Sequence, residues 1–149
     1  MRAVLQRVTR ACVRVDENVL GEIGSGFVVL LGVAHDDTES DIKYLVEKIA
    51  TIRIFDDADG RMNLSIEEVG GAVLIVSQFT LYGDARRGRR PSWSEAAQPE
   101  VAEPLYESFV QLARRSFKQV ATGSFRSMMQ VELVNDGPVT ILLDSRKKF

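Results

Sequence analysis

A short run of polar side chains directly follows an apolar, strand-like segment at residues 72–76. The polar run is Ser77-Gln78, with Phe79 and Thr80 next along the chain. Hydroxyl and amide groups donate and accept hydrogen bonds, and backbone N–H groups in such a turn can converge on a developing oxyanion. A buried strand holds the residues that follow it in a fixed position. The sequence therefore predicts a catalytic turn at Ser77, Gln78, Phe79 and Thr80.

Thr80 is the candidate nucleophile of this turn. No base lies near it in the sequence, and a Thr hydroxyl without a base has too high a pKa to attack at neutral pH. Ser and Thr at the end of a strand also commonly serve as turn formers. A hydrolase of small esters or amides that uses Thr80 as its nucleophile is nevertheless kept as an alternative.

A second polar turn, at residues 135–138 (Asn-Asp-Gly-Pro), separates two strand-like runs. Gly137 allows unusual backbone angles, and the bond before Pro138 is of the only kind at which cis isomers are common. Bare backbone of this kind can enter a neighbouring pocket and sense the stereochemistry of a ligand. An ordinary hairpin turn is the simpler interpretation from these residues alone. We expect this turn and the Ser77 turn to meet.

Four arginines are concentrated a few residues after the Ser77 turn, at Arg86, Arg87, Arg89 and Arg90, although the chain carries a net charge of −2. Guanidinium groups match the geometry of phosphate, and such contacts position nucleic acid without reading its sequence. A solvated loop and an RNA-binding loop are equally compatible with this pattern. Trp93 either stacks on a base or anchors the loop to the core, and we favour the anchor.

The rest of the composition excludes several classes of protein. The single His35 and the single Cys12 leave a zinc site without its usual ligands and exclude an internal disulfide, so we read both as structural. An acidic segment at 56–60 resembles a calcium loop, but Arg61 stands at a ligand position and Met62 where Gly is required. We therefore expect no metal. The absence of a long apolar run and of a signal peptide favours a cytoplasmic protein without a membrane segment.

Hydrophobic periodicity predicts strands at 3–15, 19–23, 27–33, 72–76, 125–134 and 139–143, with 27–33 buried on both faces. A first helix follows the N-cap Thr38, with Asp41 as its capping-box partner. We place the start of a second helix at Pro104, because Pro fits a first turn and would break a helix begun at Pro99. It extends to about residue 120, and a loose basic tail occupies 146–149.

This order of elements predicts a single α/β domain over residues 1–149. It would have a mixed, barrel-like sheet as its core, and the two main helices would pack on one side of that sheet.

Together these residues resemble the D-aminoacyl-tRNA deacylase family found in bacteria and eukaryotes. The similarity covers nearly the whole chain, including 1–8, 26–33, 53–55 and 88–92. It is most specific at 77–81 (Ser-Gln-Phe-Thr-Leu) and 135–140 (Asn-Asp-Gly-Pro-Val-Thr), which look like two signature motifs of the family.

The resemblance implies an enzyme that hydrolyses the ester between a D-amino acid and the 3′ end of tRNA, and that also removes mischarged glycine. It implies a homodimer with tRNA as its partner, without metal, cofactor, DNA or membrane. Backbone N–H groups around Gln78 and Phe79 would lie near the scissile carbonyl. The terminal ribose 2′-hydroxyl of the tRNA, rather than Thr80, would assist hydrolysis.

The same resemblance assigns further positions. Gly137-Pro138 would be a cis pair inserted into the partner subunit's pocket to reject L-amino acids, with Arg7 holding it in place. Phe125 and Met129 would lie near the terminal adenosine. Arg126 and Ser127 depart from the family pattern, since a small Gly-Ala pair is frequent there. A non-catalytic RNA-binding module, using the four arginines, is the remaining alternative.

Overall fold

Eight strands and two helices make up the fold of the computed structural model, which describes residues 1–149. A short 3₁₀ helix, Phe79–Tyr82, directly follows β6. The strands are β1 (Arg2–Val15), β2 (Asn18–Ile23), β3 (Gly26–Gly32), β4 (Phe55–Asp56), β5 (Met62–Leu64), β6 (Ala72–Ser77), β7 (Val120–Thr122) and β8 (Gln130–Asp144). The helices are α1 (Glu39–Thr51) and α2 (Pro99–Ser116).

The main sheet is organised around β1. One edge of β1 pairs antiparallel with β8, and the other edge pairs antiparallel with β3 along its first half and with β2 along its second half. β3 continues the sheet in parallel to β6, and β6 in parallel to β7. β2 then approaches β7 so closely that a Cβ on Gly21 would lie 2.9 Å from the carbonyl oxygen of Thr122. The mixed, barrel-like sheet predicted from the sequence is confirmed.

The two faces of this sheet bury different residues. Leu5, Phe27 and Ile75 lie on the face that α1 and α2 cover, in the same cluster as Leu45 and Phe109 of those helices. Alternate positions of the same strands form a second apolar cluster inside the barrel. Because both faces are covered, β3 is buried almost throughout, as its continuous apolar run predicted. The helices do lie on one side of the sheet.

The start of α1 is as predicted. Thr38 is the N-cap, and its backbone N–H donates to the carboxylate of Asp41 over 2.8 Å. Hydrogen bonds from Ser145 and Thr38 keep the pKa of Asp41 below its usual value, in spite of the opposing effect of partial burial. Its buried face comprises Ile42, Leu45, Val46 and Ile49, which recur at helical spacing.

The prediction for α2 was wrong at both ends. The helix begins at Pro99, its first residue, and ends at Ser116, and it contains Pro104. Ala102 donates its N–H to Gln98, so Pro104 removes only one early bond, the one that would reach Glu100. A Pro this close to the N-terminus of the helix is tolerated because the hydrogen bonds of the following turns, up to Ser116, are still formed. The buried face of α2 comprises Ala102, Tyr106, Phe109, Val110 and Ala113.

The two predicted C-terminal strands are one strand, β8. Residues 131–134 pair with the second half of β1, and 140–144 pair with its first half. The turn at 135–138 is therefore not a hairpin, because the runs on either side of it pair with β1 and not with each other. Between the Gln6–Thr140 and Val8–Asn135 pairs, β1 contributes only Arg7, whereas β8 contributes residues 136–139. The turn is an outward excursion of a continuous strand.

The prediction of a loose basic tail is wrong at its first residue, Arg146, which is held in place. Arg146 forms ion pairs with Asp36 and with Asp37, which is buried. The bond from Arg146 keeps the pKa of Asp36 below its usual value. Neither α1 nor α2 combines the length and the hydropathy that a membrane-spanning helix requires.

Gly26 allows β3 and β6 to approach at their first residues. Its φ is +154°, and a Cβ there would lie 1.8 Å from the carbonyl oxygen of Ala72. We predict that Gly26→Ala lowers the free energy of unfolding by more than about 3 kcal/mol, since the backbone itself would have to move. Urea denaturation measures this. Gly24→Ala is the matched control, because no atom lies within 4 Å of its Cβ. Equal urea midpoints for the two variants would contradict the described packing.

Candidate active site

A pocket of about 620 Å³ opens beside the end of β6. Ser77, Gln78 and Phe79 form part of its wall. The ends of β3 and β6, the segment 93–98, the first half of α2 and the segment 125–131 form the rest. Thirteen of its nineteen lining residues are hydrophobic. A second cavity of about 640 Å³ lies against β1, β2 and β8 and includes none of the predicted site residues. The first pocket is therefore the candidate active site.

The backbone of the Ser77 turn offers two unused N–H groups. The N–H of Gln78 donates to the carbonyl of Leu31 over 2.7 Å, so it is not free to bind an oxyanion. The N–H groups of Phe79 and Thr80 have no acceptor within the chain, because they belong to the first turn of the 3₁₀ helix. Of the expected donors around Gln78 and Phe79, only the N–H of Phe79 is therefore free, and the N–H of Thr80 is the other free donor of this turn.

Thr80 does not line the pocket. It is exposed, and its hydroxyl accepts a short hydrogen bond from the side-chain amide of Gln78. A neutral amide cannot take a proton from Thr80, so this contact does not activate the hydroxyl. The geometry gives no support to a nucleophilic role for Thr80.

Phe125 and Met129 both line the pocket. The ring of Phe125 packs against that of Tyr106 with centroids 5.7 Å apart, which joins this wall to α2. The Tyr106 hydroxyl donates to the carbonyl of Ile75 in β6 over 3.0 Å, and burial raises the pKa of Tyr106 to about 12. These contacts connect β6, α2 and the segment 125–131 into one wall.

The contribution of α2 to the pocket was missed by sequence reasoning. Pro99, Ala102 and Tyr106 all line it. Placing the helix start at Pro104 hid this face, although Ala102 and Tyr106 are spaced by four residues, as neighbours on one helical face are. Trp93 also lines the pocket, and its ring meets the exposed Phe79 edge-on at 5.3 Å.

Gly137 and Pro138 are exposed, and the peptide bond between them is cis. None of the residues that line the pocket comes from 135–140. Within one chain, therefore, the two polar turns do not meet. The reason is topological, since β8 lies on one side of β1 and β6 lies on the other side, beyond β3.

The turn is held from behind by two side chains. Arg7, only 5% exposed, donates to the carbonyl of Asp136 over 3.3 Å and forms ion pairs with Asp136 and Asp56. Asn135 donates to the carbonyls of Arg7 and Val139 over 2.8 and 3.0 Å. A Cβ on Gly137 would also lie 3.1 Å from Arg7. The exposed backbone at Gly137 and Pro138 is thus fixed by the contacts of Arg7, Asn135 and Asp136.

The basic segment forms a loop that projects from the molecule. Asp84 and Ser92 close it by exchanging backbone hydrogen bonds of 2.8 and 2.9 Å. Arg86 is paired with Asp84 through two side-chain bonds, and these bonds keep the pKa of Asp84 well below its usual range. The other three arginines, Arg87, Arg89 and Arg90, form no ion pair. Their charges are available to a ligand.

The remaining titratable residues are not gathered into a site. His35 is exposed beside Asp36, and the Sγ atom of Cys12 lies 3.7 Å from a carboxylate oxygen of Glu132. No group of three or more His, Cys, Asp and Glu side chains is arranged to hold a metal ion. The carboxylate of Asp57 accepts N–H groups of its own turn, from Asp59 and Arg61.

Comparison with known proteins decides the family. The model of the D-Tyr-tRNA(Tyr) deacylase family matches residues 4–144. D-aminoacyl-tRNA deacylases of Fervidobacterium nodosum and Anaeromyxobacter dehalogenans are 61% and 62% identical to this chain, over the full length of both proteins in each pair. The chain belongs to the D-aminoacyl-tRNA deacylase family. It is an ester hydrolase that acts on aminoacyl-tRNA.

Two solved structures share the fold of this chain. The structure of a c-Myc DNA unwinding element binding protein superimposes with a TM-score of 0.92, covers 97% of this chain and 98% of its own, and is 39% identical. A probable eukaryotic D-amino acid tRNA deacylase, covering 95% and 97%, has a TM-score of 0.82 at 19% identity. At that identity the second comparison shows the fold alone.

We predict that the Thr80→Ala variant of the deacylase keeps D-Tyr-tRNA hydrolysis within about threefold of wild type, because no base contacts the hydroxyl. Single-turnover release of labelled tyrosine measures this. Thr80→Ser is the control that retains the hydroxyl. A loss of more than about a hundredfold in Thr80→Ala, with Thr80→Ser active, would establish Thr80 as the nucleophile.

Proposed function

We propose that each active site of the deacylase is built from two copies of the chain. The pocket beside β6 comes from one subunit, and Gly137-Pro138 of the partner subunit closes it. One observation carries this proposal: the Gly137-Pro138 turn is exposed and fixed from behind, yet lies away from the pocket of its own chain. A turn held in this way suits docking into another molecule, since little ordering entropy is lost on binding.

The surface around the turn supports a second copy as its partner. Val134 and Leu142 lie on β8 on either side of the turn and are 43% and 61% exposed. Large apolar side chains on one exposed strand mark an interaction surface when they occur together. The exposed Phe79 at the pocket would lie at the other half of the same interface. A homodimer of two-fold symmetry would use both surfaces twice.

The proposed reaction is hydrolysis at the 3′-terminal ribose. The terminal adenosine lies against Phe125 and Met129, and the N–H groups of Phe79 and Thr80 bind the carbonyl oxygen as it becomes an oxyanion. Water adds to the carbonyl carbon, and the bond from that carbon to the ribose 3′-oxygen breaks. The water proton passes to the 3′-oxygen with the help of the neighbouring 2′-hydroxyl. This chemistry uses no metal or cofactor.

The proposed selectivity is steric. The backbone of the partner's Gly137 and Pro138 occupies the side of the α-carbon on which an L-amino acid carries its side chain. A D-amino acid points its side chain the other way, and glycine has none. Both D-aminoacyl-tRNA and mischarged glycyl-tRNA are therefore substrates, while L-aminoacyl-tRNA is excluded.

The basic loop is the proposed contact for the rest of the RNA. Arg87, Arg89 and Arg90 are unpaired, and they follow the pocket wall closely in the chain. Phosphate contacts of this kind add affinity that falls as salt rises. Because aminoacylated tRNA is its substrate, we place the enzyme in the cytoplasm.

The first test compares release of tyrosine from D-Tyr-tRNA and L-Tyr-tRNA, with glycyl-tRNA as a third substrate. The purified enzyme is treated with a chelator. We expect D-Tyr-tRNA and glycyl-tRNA to be hydrolysed at least about a hundredfold faster than L-Tyr-tRNA, a difference of about 2.7 kcal/mol in the barrier. Equal rates for the D and L forms would refute the steric filter. Binding of tRNA without any hydrolysis would favour an RNA-binding module.

The second test is complementation between two inactive variants. Gln78→Trp fills the pocket, and Pro138→Ala alters the turn, so each alone should lose D-Tyr-tRNA hydrolysis. A mixture unfolded and refolded together should recover about a quarter of wild-type activity, because half of the dimers are mixed and each has one intact site. Refolding each variant separately is the control. A mixture as inactive as its parts, with mixed dimers demonstrated by mass spectrometry, would place pocket and turn in one chain.

A further inference from the structure

Arg126 is the only charged residue among the nineteen that line the active-site pocket. The rest of the lining is apolar or neutral, with Ser77, Gln78, Gln98 and Ser127 as its polar side chains. A neutral wall suits an uncharged ester. One cation at its edge is suited to a negative charge on the ligand at this point.

The guanidinium of Arg126 has no partner within the chain. Other arginines near the core are paired: Arg7 with Asp56 and Asp136, Arg2 with Asp144, and Arg146 with Asp36 and Asp37. Arg126 forms neither an ion pair nor a side-chain hydrogen bond, and it is exposed. All of its donors are therefore available at the edge of the pocket.

The backbone at Arg126 is one that a side chain disfavours. Its φ is +64°, in the left-handed region that Gly adopts at lower cost. The turn is fixed by a 3.3 Å backbone hydrogen bond from Ser127 to Ser124 and by a 2.8 Å bond between their hydroxyls. A Gly at this position would relieve the strain, so a strained Arg beside a binding site indicates a functional use of its side chain.

We propose that Arg126 binds the phosphate of the 3′-terminal nucleotide and so positions the ester over the Ser77 turn. This inference rests on the proposed function, which places the terminal adenosine against Phe125, the residue before Arg126. The phosphate on the 5′-oxygen of that adenosine is the negative charge nearest the ester. A guanidinium binds two phosphate oxygens at once, so it fixes orientation as well as adding affinity. Arg126 is thus a positioning residue for the substrate.

The test is competition against D-Tyr-tRNA hydrolysis by adenosine and by adenosine 5′-monophosphate. In the wild-type enzyme we expect the monophosphate to inhibit about tenfold or more strongly than adenosine, as one charge-assisted contact would give. In Arg126→Gly the two should inhibit equally, with adenosine itself unchanged. Gly suits the backbone at this position, so the variant should fold. Arg126→Lys retains a charge and should recover part of the preference.

Salt dependence gives a second measurement that a purely structural role would not change. The slope of log KM against log salt should fall by about 0.7 in Arg126→Gly, the value for one contact to a single strand. The matched control is Arg61→Gln, which removes one exposed charge that does not line the pocket and should leave the slope and inhibition unchanged.

The outcomes separate the two proposals. If adenosine and its monophosphate inhibit the wild-type enzyme equally, Arg126 does not bind the phosphate, while the placement of adenosine stands. If neither inhibits, the adenosine does not lie in this pocket, and the proposed function fails together with this inference. If the preference for the monophosphate survives in Arg126→Gly, another residue binds the phosphate, and the inference is overturned.

Discussion

The pairing of β1 along its whole length is the constraint on which the other features depend. One edge of β1 fixes β3, and through it β6 and the Ser77 turn at the end of β6. The other edge fixes β8 on both sides of the Gly137 turn. Arg7 lies on β1 opposite that turn and braces it. A single strand therefore sets the positions of both polar turns, although they face different parts of the surface.

The pocket that results contains no strong base and a single charged side chain. The free backbone donors of the Ser77 turn are the N–H groups of Phe79, which lines the pocket, and of Thr80 next to it, and they are free because the chain enters a 3₁₀ helix immediately after β6. Donors of this kind need no reorganisation as charge develops on a carbonyl oxygen. The proposed hydrolysis therefore depends on the position of the ester rather than on an activated side chain.

Local patterns predicted much of this structure. Apolar runs identified β1, β3 and β6, and Thr38 with Asp41 identified the start of α1, because these signals lie within a few residues of the element they describe. The Ser77 turn was recognised for the same reason. The continuity of β8 was not predictable, since it depends on pairing with β1, more than a hundred residues away. The acceptor of the Gln78 N–H, on β3, and the tolerance of Pro104 in α2 likewise depend on tertiary context.

The excursion of residues 136–139 from β8 separates the exposed backbone of the turn from the residues that set the register of the sheet. These residues have no strand partner on β1, so a change in them leaves the register of the sheet untouched. The folding information is carried by the paired residues on either side. Gly137 and Pro138, which are exposed, can therefore be replaced without loss of a strand pair, whereas Asp136 is tied to Arg7 and Val139 is buried in the core.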